Sequence, residues 1–93
     1  MSLKDIETSL NNQIVSVGGM VGVIKKIITK SGDPMLFVKM EDLTGRTEVL
    51  VFPKVLARNP GLWQEEKILA VRGRVSDKDG TPKILCEDAV EIV

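Results

Sequence analysis

The sequence predicts an all-β domain: a closed, five-stranded Greek-key barrel with a short helix between the third and fourth strands and a second short helix at the N-terminus. Three observations carry this. Two runs, Met35 to Glu41 and Arg46 to Phe52, alternate with the period of two that a strand imposes, and Asp42 to Gly45 reverses the chain between them. A long β-branched run interrupted by Gly18 and Gly19 precedes this hairpin. Two further strand-like runs follow, separated by the turn chemistry of Asp77 to Pro82.

In chain order, Leu3, Ile6 and Leu10 recur at helical spacing after Ser2, with Asp5 three residues beyond that cap, so residues 3–10 read as a short helix ended by Asn11 and Asn12. Residues 1–12 form a helical lead-in and 13–93 the barrel. The first strand runs from Gln13 to Thr29, with Val15, Val17, Val21 and Val23 in a single phase. The glycine pair is expected to bulge or coil it enough to serve both sides of a barrel.

In the hairpin, Leu36, Val38 and Met40 share the core face with Thr47, Val49 and Val51. Met35, Phe37, Lys39 and Glu41 share the other face with Arg46, Glu48, Leu50 and Phe52. An aromatic among charges and large apolar groups is an unusual outer face if its only role is to meet water. Pro53 suits the first position of a short helix over KVLARN, which Asn59, Pro60 and Gly61 stop. Leu62 and Trp63 then cover an end of the barrel. The fourth strand, Lys67 to Val75, turns Leu69, Val71, Gly73 and Val75 inward and Ile68, Ala70, Arg72 and Arg74 outward. Asp79 and Gly80 tip the next loop, and the last strand starts at Lys83. This order of elements describes the OB-fold, and barrel closure removes the edge hazard that so much Val and Ile creates.

Composition narrows the function classes. Ninety-three residues suffice for one small domain. Thirteen basic and thirteen acidic residues cancel, so the whole molecule offers no general attraction to a polyanion or an anionic membrane. Local clustering has to supply any such attraction, and Gly19 to Arg58 carry seven basic residues against four acidic ones. Histidine is absent, which removes the commonest general base and metal ligand. The single cysteine, Cys86, excludes an internal disulfide and has no histidine to activate it. The adjacent carboxylates Glu41 and Asp42, Glu65 and Glu66, Glu87 and Asp88 face opposite sides of an extended chain and cannot share a substrate. The reading is therefore a noncatalytic domain without metal or cofactor, in the cytoplasm.

Candidate binding residues lie on and around the outer face of the hairpin. Phe37 can stack on a base. Lys25, Lys26 and Lys30 flank the first loop, and Lys39, Arg46, Arg72 and Arg74 stand in outward phase, Arg72 and Arg74 on strands taken to neighbour the hairpin; together they can contact phosphates. Lys39 and Arg46 are also within reach of Glu48 and Glu41, pairs worth roughly a few tenths of a kcal/mol that would blunt the patch. Asp42 is expected to anchor its turn at Thr44 or Gly45.

The segments GGMVGVIKKIITKSGDPMLFVKMEDLTGRTEVLVFP and LAVRGRVSDKDGTPKILCEDAVEI resemble the OB domain near the C-terminus of the bacterial replicative DNA polymerase alpha subunit, from about Ile14 to the end of the chain. That group also includes the anticodon-binding domains of class II aminoacyl-tRNA synthetases. The resemblance implies binding of single-stranded nucleic acid across the second and third strands, with Phe37 at the stacking position. The base-reading position of the third strand falls on Glu48, where the synthetase domains carry glutamine. The implied partners are single-stranded DNA, bound weakly and salt-dependently, and other domains of a polymerase or replisome. Two alternatives stand beside this: a protein-interaction module using Met35, Phe37, Leu50 and Phe52, and an RNA- or tRNA-binding domain.

Overall fold

A computed structural model describes residues 12–77 and 81–92. The expected helix over residues 3–10 and the loop tip at Asp79 and Gly80 lie outside the described residues. The five strands are β1 (Ile14–Ile28), β2 (Pro34–Glu41), β3 (Arg46–Val51), β4 (Ile68–Ser76) and β5 (Lys83–Glu91), with the helix α1 (Pro53–Arg58) and a 3-10 turn (Pro60–Leu62) between β3 and β4. They close a barrel in the order β1-β2-β3-β5-β4. Every neighbouring pair is antiparallel except β3 with β5, which run parallel.

The alternation read in the hairpin is the burial pattern found: Leu36, Val38, Met40, Thr47, Val49 and Val51 are buried. Val15, Val17, Val21, Leu69, Val71, Val75 and Ile84 complete an aliphatic interior to which Trp63 adds the one buried aromatic. Leu62 and Trp63 are buried in this cluster, and Val55 and Leu56 of α1 pack against it. Pro53 stands at the start of α1, and the Arg58 guanidinium in its last turn donates to the Glu87 carbonyl. Glu87 is the β5 residue left without a partner where the register with β4 shifts between Arg72 and Gly73. The arginine thus satisfies a carbonyl at the bulge while tying α1 to the barrel.

The first strand departs from the expectation in one respect. Gly18 and Gly19 pair regularly with Ala70 and Leu69, so they are not a bulge. The irregularity falls between Val21 and Ile24, where Gly22 and Val23 together oppose Lys39 of β2. The cause is the change of partner: β1 pairs with β4 up to Met20 and with β2 from Met20 onward, so the bend is needed just past that residue. The extra residue flips the phase. Val23, in one phase with the buried Val15, Val17 and Val21 by sequence position, is 59% exposed, and Ile24 packs against the core in its place.

Candidate nucleic-acid interface

The ladder registers align side chains of successive strands into transverse rows on the outer wall. Lys25 of β1 faces Phe37 of β2, Phe37 faces Leu50 of β3, and Leu50 faces Leu85 of β5. Phe37 is half-buried between Leu36 and Val38, both of which point inward, so it belongs to the outer surface. Its partial burial fits flanking by Leu50: a supported ring keeps one face for a ligand and loses little rotamer freedom on binding. One step along, Lys39 sits between the β1 bulge and Glu48, and Glu48 faces Lys83 of β5. Beyond that, Glu41 faces Arg46.

The charges on this wall are arranged differently from the simplest hairpin reading. Glu48 is paired with Lys83, Nζ to Oε1 3.7 Å, and not with Lys39, although Lys39 stands opposite it. Among the described residues, Lys25, Lys26, Lys30, Lys39 and Arg46 are exposed and take part in no ion pair, but Lys26 faces the inward Leu36 and so stands in the opposite phase from Lys25 and Phe37, off this wall. The face thus keeps its cations while its central carboxylate is compensated from β5.

The loops framing this wall are held by their own polar groups. Between β1 and β2, the Thr29 N–H donates to the Asp33 carbonyl at 2.8 Å and the Gly32 N–H to the Thr29 carbonyl at 2.9 Å. Gly32 takes φ +89°, a conformation that any side chain would strain. Ser31 Oγ donates to Asp33 Oδ2 at 3.2 Å, so the tight turn presents Lys30 outward from a braced backbone. Between β2 and β3, Asp42 Oδ1 accepts from the Thr44 N–H (2.7 Å), the Thr44 hydroxyl (2.6 Å) and the Gly45 N–H (3.0 Å), the anchor expected of it.

Two of the sequence-selected cations do not join the hairpin. β4 lies between β1 and β5, so Arg72 and Arg74 are on strands adjacent to neither β2 nor β3. Arg72 faces Ser16 on one side and Asp88 on the other, on a separate wall. Arg74 faces Leu85, at the far end of the row that begins with Lys25, and its guanidinium donates to the Asn12 carbonyl at 3.0 Å. The expectation that both neighbour the hairpin fails because the returning fifth strand, distant in sequence, takes the place beside β3. The same parallel pairing brings in Lys83 and Leu85, which no local signal in the sequence marks as part of this wall.

No group of three or more His, Cys, Asp or Glu side chains that could hold a metal occurs among the described residues. Cys86 is buried, and burial pushes its thiol up to about 11, against the partial relief of a contact with the Asp88 carbonyl at 3.5 Å. No helix among the described residues is long and apolar enough to cross a membrane.

Comparison with known proteins agrees with this geometry. The chain is 37% identical over 78 residues to the DNA polymerase III subunit alpha of Saccharopolyspora erythraea, covering 84% of this chain and 6% of that protein. It is 28% identical over 92 residues to the same subunit of Escherichia coli K12, covering 97% and 8%. The chain thus spans less than a tenth of the length of these relatives. Among solved structures, asparaginyl-tRNA synthetase from Pyrococcus horikoshii, complexed with asparaginyl-adenylate, superposes with a TM-score of 0.82 at 18% identity, over 99% of this chain and 22% of the other. An OBody, AM1L10, bound to hen egg-white lysozyme superposes with a TM-score of 0.78 at 17% identity, over 99% and 91%. Residues 15–92 match the tRNA_anti-codon family, described as the OB-fold nucleic acid binding domain. With its barrel order, its kinked first strand and a match that spans every strand but the first residue of β1, the chain belongs to the OB-fold nucleic acid binding domain family.

Proposed function

We propose that this domain binds single-stranded DNA across the outer wall of β2 and β3, as a noncatalytic accessory module of a replicative polymerase alpha subunit. The observation that carries the reading is the row Lys25, Phe37, Leu50, in which a cation, an aromatic ring and an aliphatic support stand side by side on an outward face. Phe37 stacks on a base, a contact worth about 1–3 kcal/mol. Lys25, Lys30, Lys39 and Arg46 position phosphates, while Lys26, in the opposite phase of β1, lies off this wall. Lys83 holds the Glu48 carboxylate, so the strand crosses the centre of the wall without meeting an uncompensated negative charge. Arg74 extends the row past Leu85, and Arg72 plays no part on this wall. Cations without a dense base-reading set make the affinity sequence-tolerant and weak, on the order of micromolar or poorer at physiological salt. The similarity to polymerase III alpha subunits supports DNA over RNA as the ligand.

The test is a titration of fluorescent oligo-deoxythymidine at two salt concentrations with wild type and Phe37→Ala, beside the matching oligo-uridine. Binding that falls with salt and drops on the substitution supports the reading. Undetectable binding at low salt refutes it and favours a protein contact through Met35, Phe37, Leu50 and Phe52, and tighter uridine binding moves the ligand to RNA.

A further inference from the structure

We propose that the wall formed by the first half of β1, the start of β4 and the end of β5 is a second, separate binding surface, a seat for a basic amphipathic polypeptide. Met20, Leu43, Ile68, Val90 and Ile92 are exposed large apolar residues that lie on it or at its edge. Exposed apolar residues scattered singly need no explanation, whereas a contiguous set does. The ladder makes this set contiguous. Met20 faces Ile68, and the Ile92 N–H donates to the Ile68 carbonyl at 2.8 Å, so the three form one ridge across three strands. Beside it Gly18 faces Ala70, a low floor next to a high ridge.

Between ridge and turn lies a shallow groove of about 460 Å³, to which Met20, Leu43, Ile68 and Ile92 contribute apolar surface. Among the described residues its charged lining is Glu41 and Asp42, with no cation. Asp42 is engaged by its turn, and Glu41 remains exposed. Nearby, Lys67 pairs with Glu91 at 3.5 Å, Arg46 stands beyond Glu41 on the side away from Met20, and Arg72, past Ala70 on the side away from Ile68, faces Asp88. An apolar groove with an acidic rim repels a phosphate backbone and favours apolar anchors flanked by Lys or Arg. The domain thus divides its surface: cations around Phe37 for nucleic acid, and this wall for protein.

The experiment is a backbone-amide NMR titration of the whole chain with an amphipathic Leu/Lys peptide of about 18 residues, five helical turns, a Leu/Glu peptide of the same pattern, and oligo-deoxythymidine. The expected result is saturable shifts at Met20, Ile68, Val90 and Ile92 with the Leu/Lys peptide alone. Ile68→Ser should weaken that binding about tenfold, roughly the loss of one partly buried aliphatic side chain, while keeping the circular dichroism spectrum and the thymidine binding of wild type. The proposal is overturned if the Leu/Glu peptide binds as well, if thymidine shifts the same amides, if Ile68→Ser leaves peptide binding unchanged, or if those amides broaden with protein concentration alone, which would make the occupant a second copy of the chain.

Discussion

Lys25 and Phe37 are direct partners in the β1–β2 ladder, and both project from the outer wall of the barrel. A cation and an aromatic ring are thereby held by backbone hydrogen bonds at the spacing of paired strands, about 5 Å between Cα atoms. The two side chains act through different physics, so their removal has different signatures.

Phe37→Ala is expected to lower affinity for oligo-deoxythymidine by about five- to a hundredfold at both low and moderate salt, the stacking energy of one base. Lys25→Ala is expected to reduce the slope of log affinity against log salt by about 0.7, one phosphate contact on a single strand, with its largest effect at low salt. Fluorescence anisotropy across a salt series separates the two.

Glu48 carries the one carboxylate at the centre of the wall, and Lys83 offsets it. Glu48→Gln should tighten thymidine binding severalfold at low salt, because it removes the negative charge at the centre of the wall. Its cost in stability is roughly a few tenths of a kcal/mol, that of a partly exposed ion pair. Lys83→Met should do the reverse to binding. Equal affinity for both variants in the same titration would place the DNA elsewhere.

Gly73 lies beside the β4–β5 register shift, and a Cβ there would approach the Leu85 carbonyl oxygen to 2.3 Å and Ile84 Cγ2 to 2.7 Å. A backbone atom cannot yield as a side chain end does. Gly73→Ala is therefore expected to destabilise the barrel by about 3 kcal/mol, read as a lower urea midpoint with little change in its slope.

Glu66 takes φ +71° where the chain enters β4, its N–H donating to the Val21 carbonyl at 2.8 Å. A left-handed conformation costs a non-glycine residue roughly 1–2 kcal/mol. Glu66→Gly is expected to be neutral or to stabilise by up to about 1 kcal/mol, and Glu66→Val to destabilise; thermal melts by circular dichroism distinguish them.

Burial holds the Cys86 thiol protonated, its value raised from 9.0 to about 11. The folded state binds this proton more tightly than the unfolded state, so the contribution is fully present below pH 9 and is lost as pH rises through 11. Urea midpoints should fall across that window in wild type and less so in Cys86→Ala. A thiol reagent at neutral pH should label Cys86 only as fast as the domain opens.

The sequence alone determined the strands and the inner faces of β2, β3 and β4. Leu36, Val38, Met40, Val49 and Val51 declare a core side by alternation, a local property of an extended chain. The anchoring of the turn by Asp42 and the outward direction of Phe37 follow from the same local rules. Tertiary structure decided which distant strands meet. The parallel contact of β3 with β5 supplied Lys83 as the partner of Glu48 and set Arg72 on another wall, and the partner change of β1 at Met20 displaced the bulge from the glycine pair to Gly22 and Val23. Period-two patterning reports which way a side chain points, whereas register and neighbour order depend on barrel closure across residues far apart in the chain.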